Sequence, residues 1–104
     1  MNLTHPKDCV SAEEIRNEID KIDKQIIALF GKRYKYVEEI VRFKKDEKGV
    51  QAGDRVKQVI RDRRKWAGEN GLDADTFEKM FLILIENNIT HELELLKHKN
   101  ASKE

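Results

Sequence analysis

From Ser11 to Lys48 the apolar residues come round in steps of four and three that never break: Ile15, Ile19, Ile22, Ile26, Leu29, Arg33, Tyr36, Ile40 and Phe43. This is the pattern of a heptad helix, and few folds can hold one of this length. One member is out of place, because Arg33 occupies a seam position that calls for a hydrophobe. A second stripe beside the first, Ile27, Phe30, Tyr34, Val37, Val41 and Lys44, also ends in a cation. Cations set into the apolar face of a helix point to an anion held inside a helical core.

Ser11, with Glu14 three residues later, forms a capping box that starts this helix. The pattern carries it to about Lys48, with Gly49 as a left-handed stop. About 36 residues at ~1.5 Å each give a rod of roughly 54 Å. Val50 to Gly53 then reads as a short loop. Asp54 reads as the cap of a second helix, with Val56, Val59, Ile60, Arg63 and Ala67 on one side and Trp66 next to them. Glu69-Asn70-Gly71 ends that helix. Asp73 or Asp75 caps a third, which runs to about Lys99. Its stripe carries Phe77, Phe81, Leu84, Ile85, Ile89 and Leu96, with Asn88 and Glu92 among them. Residues 1–10 read as an extended lead-in and residues 100–104 as a frayed polar tail, all within one domain spanning 1–104. There is no alternating β-branched run and no Asn-Gly turn between strand-like segments. The expected fold class is therefore all-α, with three helices per chain.

Two helices of about 15 and about 25 residues cannot cover both stripes of the first. A rod that exposed two apolar faces would aggregate. The economical solution is a homodimer in which the first helices of two chains pair, antiparallel, with the shorter helices wrapped around them.

Charged residues make up 39% of the chain, yet the net charge is +1. The charge is spread over solvated helix faces rather than massed for a polyanion, so no nucleic-acid partner is expected. The basic run Arg61-Asp62-Arg63-Arg64-Lys65 is interrupted by its aspartate and reads as such a face. The longest apolar run, Met80 to Ile85, falls far short of the ~20 residues a membrane span needs, so no membrane partner is expected. The first ten residues hold no hydrophobic run of a secretory signal, and Cys9 is the only cysteine. Both suit a cytoplasmic protein. No Cys-x-x-Cys, helical His-x-x-x-His or glycine-rich phosphate loop occurs, and His5, His91 and His98 do not make a ligand set. The expectation is no metal and no cofactor.

The residues that carry chemistry are then Arg16, Arg33, Lys44 and Glu92, on or beside apolar stripes. Arg33 and Lys44 lie eleven residues apart, about 20° around one helix and roughly 16 Å along it, so they can bracket a small dianion. Arg16 is about 42 Å from Lys44 on a straight rod and reaches such a site only from a partner chain. Two-fold symmetry would make two shared sites. Blander accounts exist for each. Arg16 reads as an exposed first-turn residue, Lys44 as a cation favoured by the helix macrodipole, and Arg33 as the structural partner of Glu92.

At these positions the sequence resembles the all-helical chorismate mutase family, and most closely its branch of isochorismate-pyruvate lyases from salicylate pathways. The resemblance runs from about Pro6 to Leu96. It rests on Asp8-Cys9, Glu14-Ile15-Arg16, Ile19-Asp20-Lys21-Ile22-Asp23, Lys32-Arg33, Tyr36-Val37, Arg42-Phe43-Lys44, Asp54-Arg55-Val56 and the run from Arg64 to Ala74. It implies an intertwined dimer of three-helix chains. It also implies that Arg16 enters from the partner to grip a substrate carboxylate, that Arg33 holds the enolpyruvyl carboxylate, and that Lys44 faces the ether oxygen. Arg55 would help close the pocket, with Val37 and Ile89 as apolar walls beside polar Asn88. Val56 stands where dedicated mutases have a glutamate. At Glu92 many relatives have a glutamine that donates to the ether oxygen, and a glutamate donates only when protonated.

The implied reactions are pericyclic: chorismate to prephenate, or isochorismate to salicylate and pyruvate. Mutase activity is the first expectation, lyase activity the alternative, and a non-catalytic helical dimerisation module the third reading. The module explains the heptads but not Arg33 in the seam, nor Asn88 and Glu92 on the third-helix stripe.

Overall fold

The computed structural model describes residues 2–101, and every regular element among them is helical. The chain divides into two compact units, Met1–Lys35 and Tyr36–Glu104.

In the first unit the lead-in is not wholly extended. Pro6–Asp8 forms a 3₁₀ turn, opened by the His5 ring, which accepts from the Lys7 N–H. The long helix α1 (Ala12–Ile40) begins where the sequence says it should. Ser11 Oγ accepts from the Glu14 N–H at 3.1 Å. The Glu14 carboxylate reaches back to the Val10 N–H at 3.2 Å, one residue beyond the usual capping-box partner. A turn later, Glu18 accepts from the Lys21 ammonium at 2.7 Å and from the Thr4 N–H at 2.8 Å. These bonds, the lysine's first, hold its carboxyl below the usual range. No residue of α1 is buried. Ile15, Ile19, Ile22, Ile26 and Leu29 are all exposed, and so, further on, are Tyr36, Ile40 and Phe43.

In the second unit the expected helix to Lys48 does not hold. α1 ends at Ile40, and Val41–Phe43 tightens into a 3₁₀ turn. Lys44 is extended, at φ −96° and ψ 137°. Asp46 then caps a new short helix, α2 (Glu47–Gln51), by accepting the Gly49 N–H at 2.8 Å. Gly49 therefore sits inside a helix instead of ending one. Packing supplies the reason. Val41 and Val50 are buried together against Leu96. One straight rod would hold those two valines roughly 13 Å apart along its axis, so the chain must break between them.

The expected loop before the next helix shrinks to Ala52, whose φ of 27° and ψ of 66° lie in left-handed space. That conformation costs about 1–2 kcal/mol for a residue with a Cβ. It is held by the Ala52 N–H to Lys48 and by its carbonyl to the Val56 N–H. Helix α3 (Gly53–Glu69) has no side-chain cap, and Asp54 lies in its first turn, where a carboxylate still favours the dipole. Its end is a Schellman motif. Gly71, at φ 72°, donates to Gly68, and Leu72 donates to Ala67 at 2.8 Å.

Helix α4 (Ala74–Ala101) is capped by Asp73, which accepts from the Thr76 hydroxyl at 2.6 Å and its N–H at 3.0 Å. Those bonds hold the Asp73 carboxyl low. Asp75 does not cap the helix. It takes the Arg64 guanidinium at 2.9 Å, with Glu78 at 3.4 Å, and so ties α3 to α4. The hydrogen bond to Asp75 is the main reason that Arg64 holds its proton even more firmly than usual. Arg63 stacks over Trp66 and Phe81, 4.8 and 5.7 Å from the ring centres. Asn100 and Ala101 continue α4, and the rest of the expected frayed tail lies outside the described residues. Among the described residues no helix is long and apolar enough to cross a membrane.

Candidate active site

Only three residues of α4 are buried: Asn88, Glu92 and Leu96. They follow one another in steps of four, so they share one line down the helix. Two of the three are polar, at 5% and 8% exposure. An amide and a carboxyl on the most protected line of a helix are costly there unless partnered or used. Next to them, Ile89 packs on the cluster of Val41, Val50 and Leu96. The sequence-derived stripe of the third helix is thus correct, and Asn88, Ile89 and Glu92 belong to one surface.

Lys44 stands three residues after Val41, half-buried at the end of the 3₁₀ turn. Its aliphatic stem passes α2: a Cβ added to Gly49 would lie 3.7 Å from Lys44 Cδ. Its carbonyl receives the Lys99 ammonium at 3.0 Å. Because α1 ends at Ile40, Arg33 and Lys44 do not share a continuous helix. The phase and rise of a single rod therefore do not relate them.

The other expected residues are placed as follows. Val37 is half-buried near the end of α1. Arg55 is exposed on α3 and donates to Gln58 of the same helix at 3.0 Å. In the first unit Arg33 is half-buried and Arg16 exposed. An open apolar groove also runs along α3 and α4 over Val56, Ile60 and Leu82, rimmed by Arg61, Arg64 and Glu78. It includes none of Lys44, Asn88 or Glu92, so it is a different surface from the line on α4.

A sequence model of the chorismate mutase type II family matches residues 15–93. The chain belongs to that family. It is 39% identical over 88 residues to an isochorismate pyruvate lyase of Pseudomonas aeruginosa, covering 85% of this chain and 87% of the relative. It is 34% identical over 77 residues to a chorismate mutase of Methanocaldococcus jannaschii, covering 72% of this chain and 77% of that one. The enzyme class implied by the resemblance, chorismate mutase or isochorismate pyruvate lyase, therefore holds for this chorismate mutase type II chain.

Sequence reasoning missed the polar links that His91 and Lys99 make. His91 Nε2 lies 3.2 Å from Glu38 Oε2, joining α4 to the last turns of α1. Lys99 gives its ammonium to three backbone carbonyls, those of Val41, Arg42 and Lys44. A signal for Lys99 was present. It extends the Asn88, Glu92, Leu96 line by a step of three, so a lysine there is as anomalous as an arginine in the seam of α1.

Proposed function

We propose that the protein is a homodimeric pericyclic enzyme that converts chorismate to prephenate, in two sites shared between chains. The carrying observation is the buried Asn88–Glu92 pair on α4, a polar line where a purely structural helix would place hydrophobes. The exposed apolar seam of α1 supports the dimer, because a 29-residue helix with no buried side chain gains its stability from a partner. Arg16 of one chain and Arg33 of the other would grip the two carboxylates of the substrate. Guanidinium forks suit carboxylates, and a pair of them fixes the flexible enolpyruvyl arm over the ring.

In this rearrangement the ether carbon–oxygen bond breaks as a carbon–carbon bond forms between the enolpyruvyl methylene and the ring. All atoms stay in one molecule. Negative charge grows on the ether oxygen as the bond lengthens. Lys44 would meet it with an ammonium, and Glu92, when protonated, with an O–H donor. Asn88 and Ile89 would fix the polar and apolar sides of the pocket. The enzyme's part is confinement plus charge already in place, and a single donor of this kind is worth about 3–4 kcal/mol.

A second reading is favoured by the 39% identity to the lyase and by Val56. In it the substrate is isochorismate. The same ether bond breaks while a ring hydrogen moves to the methylene, giving salicylate and pyruvate. Incubating the purified protein with each substrate separately distinguishes the two, by prephenate in one and salicylate with pyruvate in the other. Absence of all three products would refute both readings and leave the dimerisation module.

A further inference from the structure

The loop between α1 and α2 carries Lys44, and one residue of α4 holds that loop by three bonds. Lys99 Nζ donates to the carbonyls of Val41 and Arg42 at 3.2 Å each and of Lys44 at 3.0 Å. An ammonium has three N–H groups, so its whole donor capacity is spent here. The acceptors lie where a helical turn stops, the Val41 carbonyl also taking the Lys44 N–H at 3.0 Å, and a cation there meets the negative end of the turn. Just beyond, Asp46 fixes the start of α2 through Gly49. The extended backbone of Lys44 is therefore clamped on both sides, and its stem lies along α2.

Lys99 also sits seven residues beyond Glu92 on the same helix. That is two turns, about 20° around and roughly 10 Å along. Between them lies Leu96, buried against Val41 and Val50. α4 is thus a ruler with Glu92 at one mark and the anchor of the Lys44 loop at another. We propose that Lys99 is a positioning residue, which sets Lys44 in register with Glu92 so that both face the same ether oxygen. This rests on the roles given above to Lys44 and Glu92. Lys99 itself acts only through the backbone of the loop.

Three variants of the full-length protein test it: Lys99→Met, which keeps the stem and removes the donors, Lys99→Arg, which keeps a multidentate cation, and Lys44→Met. The first readout is backbone hydrogen exchange, which needs no activity. Lys99→Met should speed exchange at Lys44, Val50 and Ala52, whose N–H groups are bonded within this segment, and leave α3 protected. The second is kinetics with chorismate and isochorismate. Lys99→Met should lower kcat by about 10- to 100-fold, the scale of an ångström's misplacement, with KM changed much less. Lys99→Arg should recover most of the loss in kcat. Added to Lys44→Met, the Lys99→Met change should have little further effect, since its route to the reaction is already gone.

Unchanged exchange at 44–52 in Lys99→Met would overturn the proposal, and the same readout is taken on Lys99→Ala, which also removes the donors, if the methionine variant is unstable. Faster exchange with unchanged kcat would overturn it too, as would an equal loss in the presence and absence of Lys44. If Lys44→Met itself keeps full activity, the role given to Lys44 has failed. The exchange experiment then still decides whether Lys99 anchors the loop.

Discussion

Replacing Glu92 by glutamine tests the proposed role of a titrating donor at the ether oxygen. Glutamine matches glutamate in volume, so at a position only 8% exposed it fills the same space. It also exchanges a group that donates only when protonated for one that always can. Above its titration point the protonated fraction of a carboxyl falls tenfold per pH unit, and the rate it supports falls with it. The loss stops growing at the full worth of the donor, about 10²–10³-fold or 3–4 kcal/mol. Initial rates of chorismate consumption from about pH 8 down to about pH 5 should therefore climb for the wild type. Glu92→Gln should be nearly level across that range and faster than the wild type, by a margin that shrinks as the pH falls. Thermal melts at each pH would show that both proteins stay folded. A wild-type profile flat from acid to neutral pH would refute the reasoning. So would a glutamine variant slower at every pH, since glutamate would then act in its ionised form.

Other outcomes follow from the same residues. Leu96→Ala, at a side chain only 3% exposed that joins Val41 and Val50, should cost about 2–5 kcal/mol in denaturant unfolding, and a loss below ~1 kcal/mol would contradict the core described here. Ile22→Glu, on the exposed seam of α1, should convert dimers to monomers in sedimentation and abolish turnover. A wild type already monomeric at all concentrations would remove the basis for shared sites. Asp73 has its carboxyl held low by Thr76, so its ionised form favours folding above the ordinary carboxylate range and this benefit disappears as pH falls through its lowered value. Asp73→Asn keeps a cap but no charge, so the gap in melting temperature between the two proteins should close as the pH is lowered towards about 3. A gap that widens on acidification would reverse the sign assigned here.

The start of α1 was legible because Ser11 and Glu14 act on their immediate neighbours. The polar line on α4 was legible because a step of four is a local property of a helix, and Asn88 and Glu92 interrupt it visibly. The end of α1 was not. A 3₁₀ turn eclipses side chains at a step of three, so the three-residue steps from Ile40 to Phe43 and from Val41 to Lys44 give no sign that the α-helix has stopped. What stops it is remote: Leu96, which draws Val41 and Val50 together, and Lys99, which binds the carbonyls of Val41 and Arg42. The following turn was hidden for another reason. Ala52 adopts a left-handed conformation that glycine or asparagine would normally announce, while Gly49, the residue that did announce a stop, lies within α2. Long-range contacts decided where α1 ends, against the local signal.

If the proposed dimer is what covers it, a helix of 29 residues that shelters none of its own side chains makes folding a second-order event. Dilution would then work as a denaturant, and the melting point would rise with protein concentration.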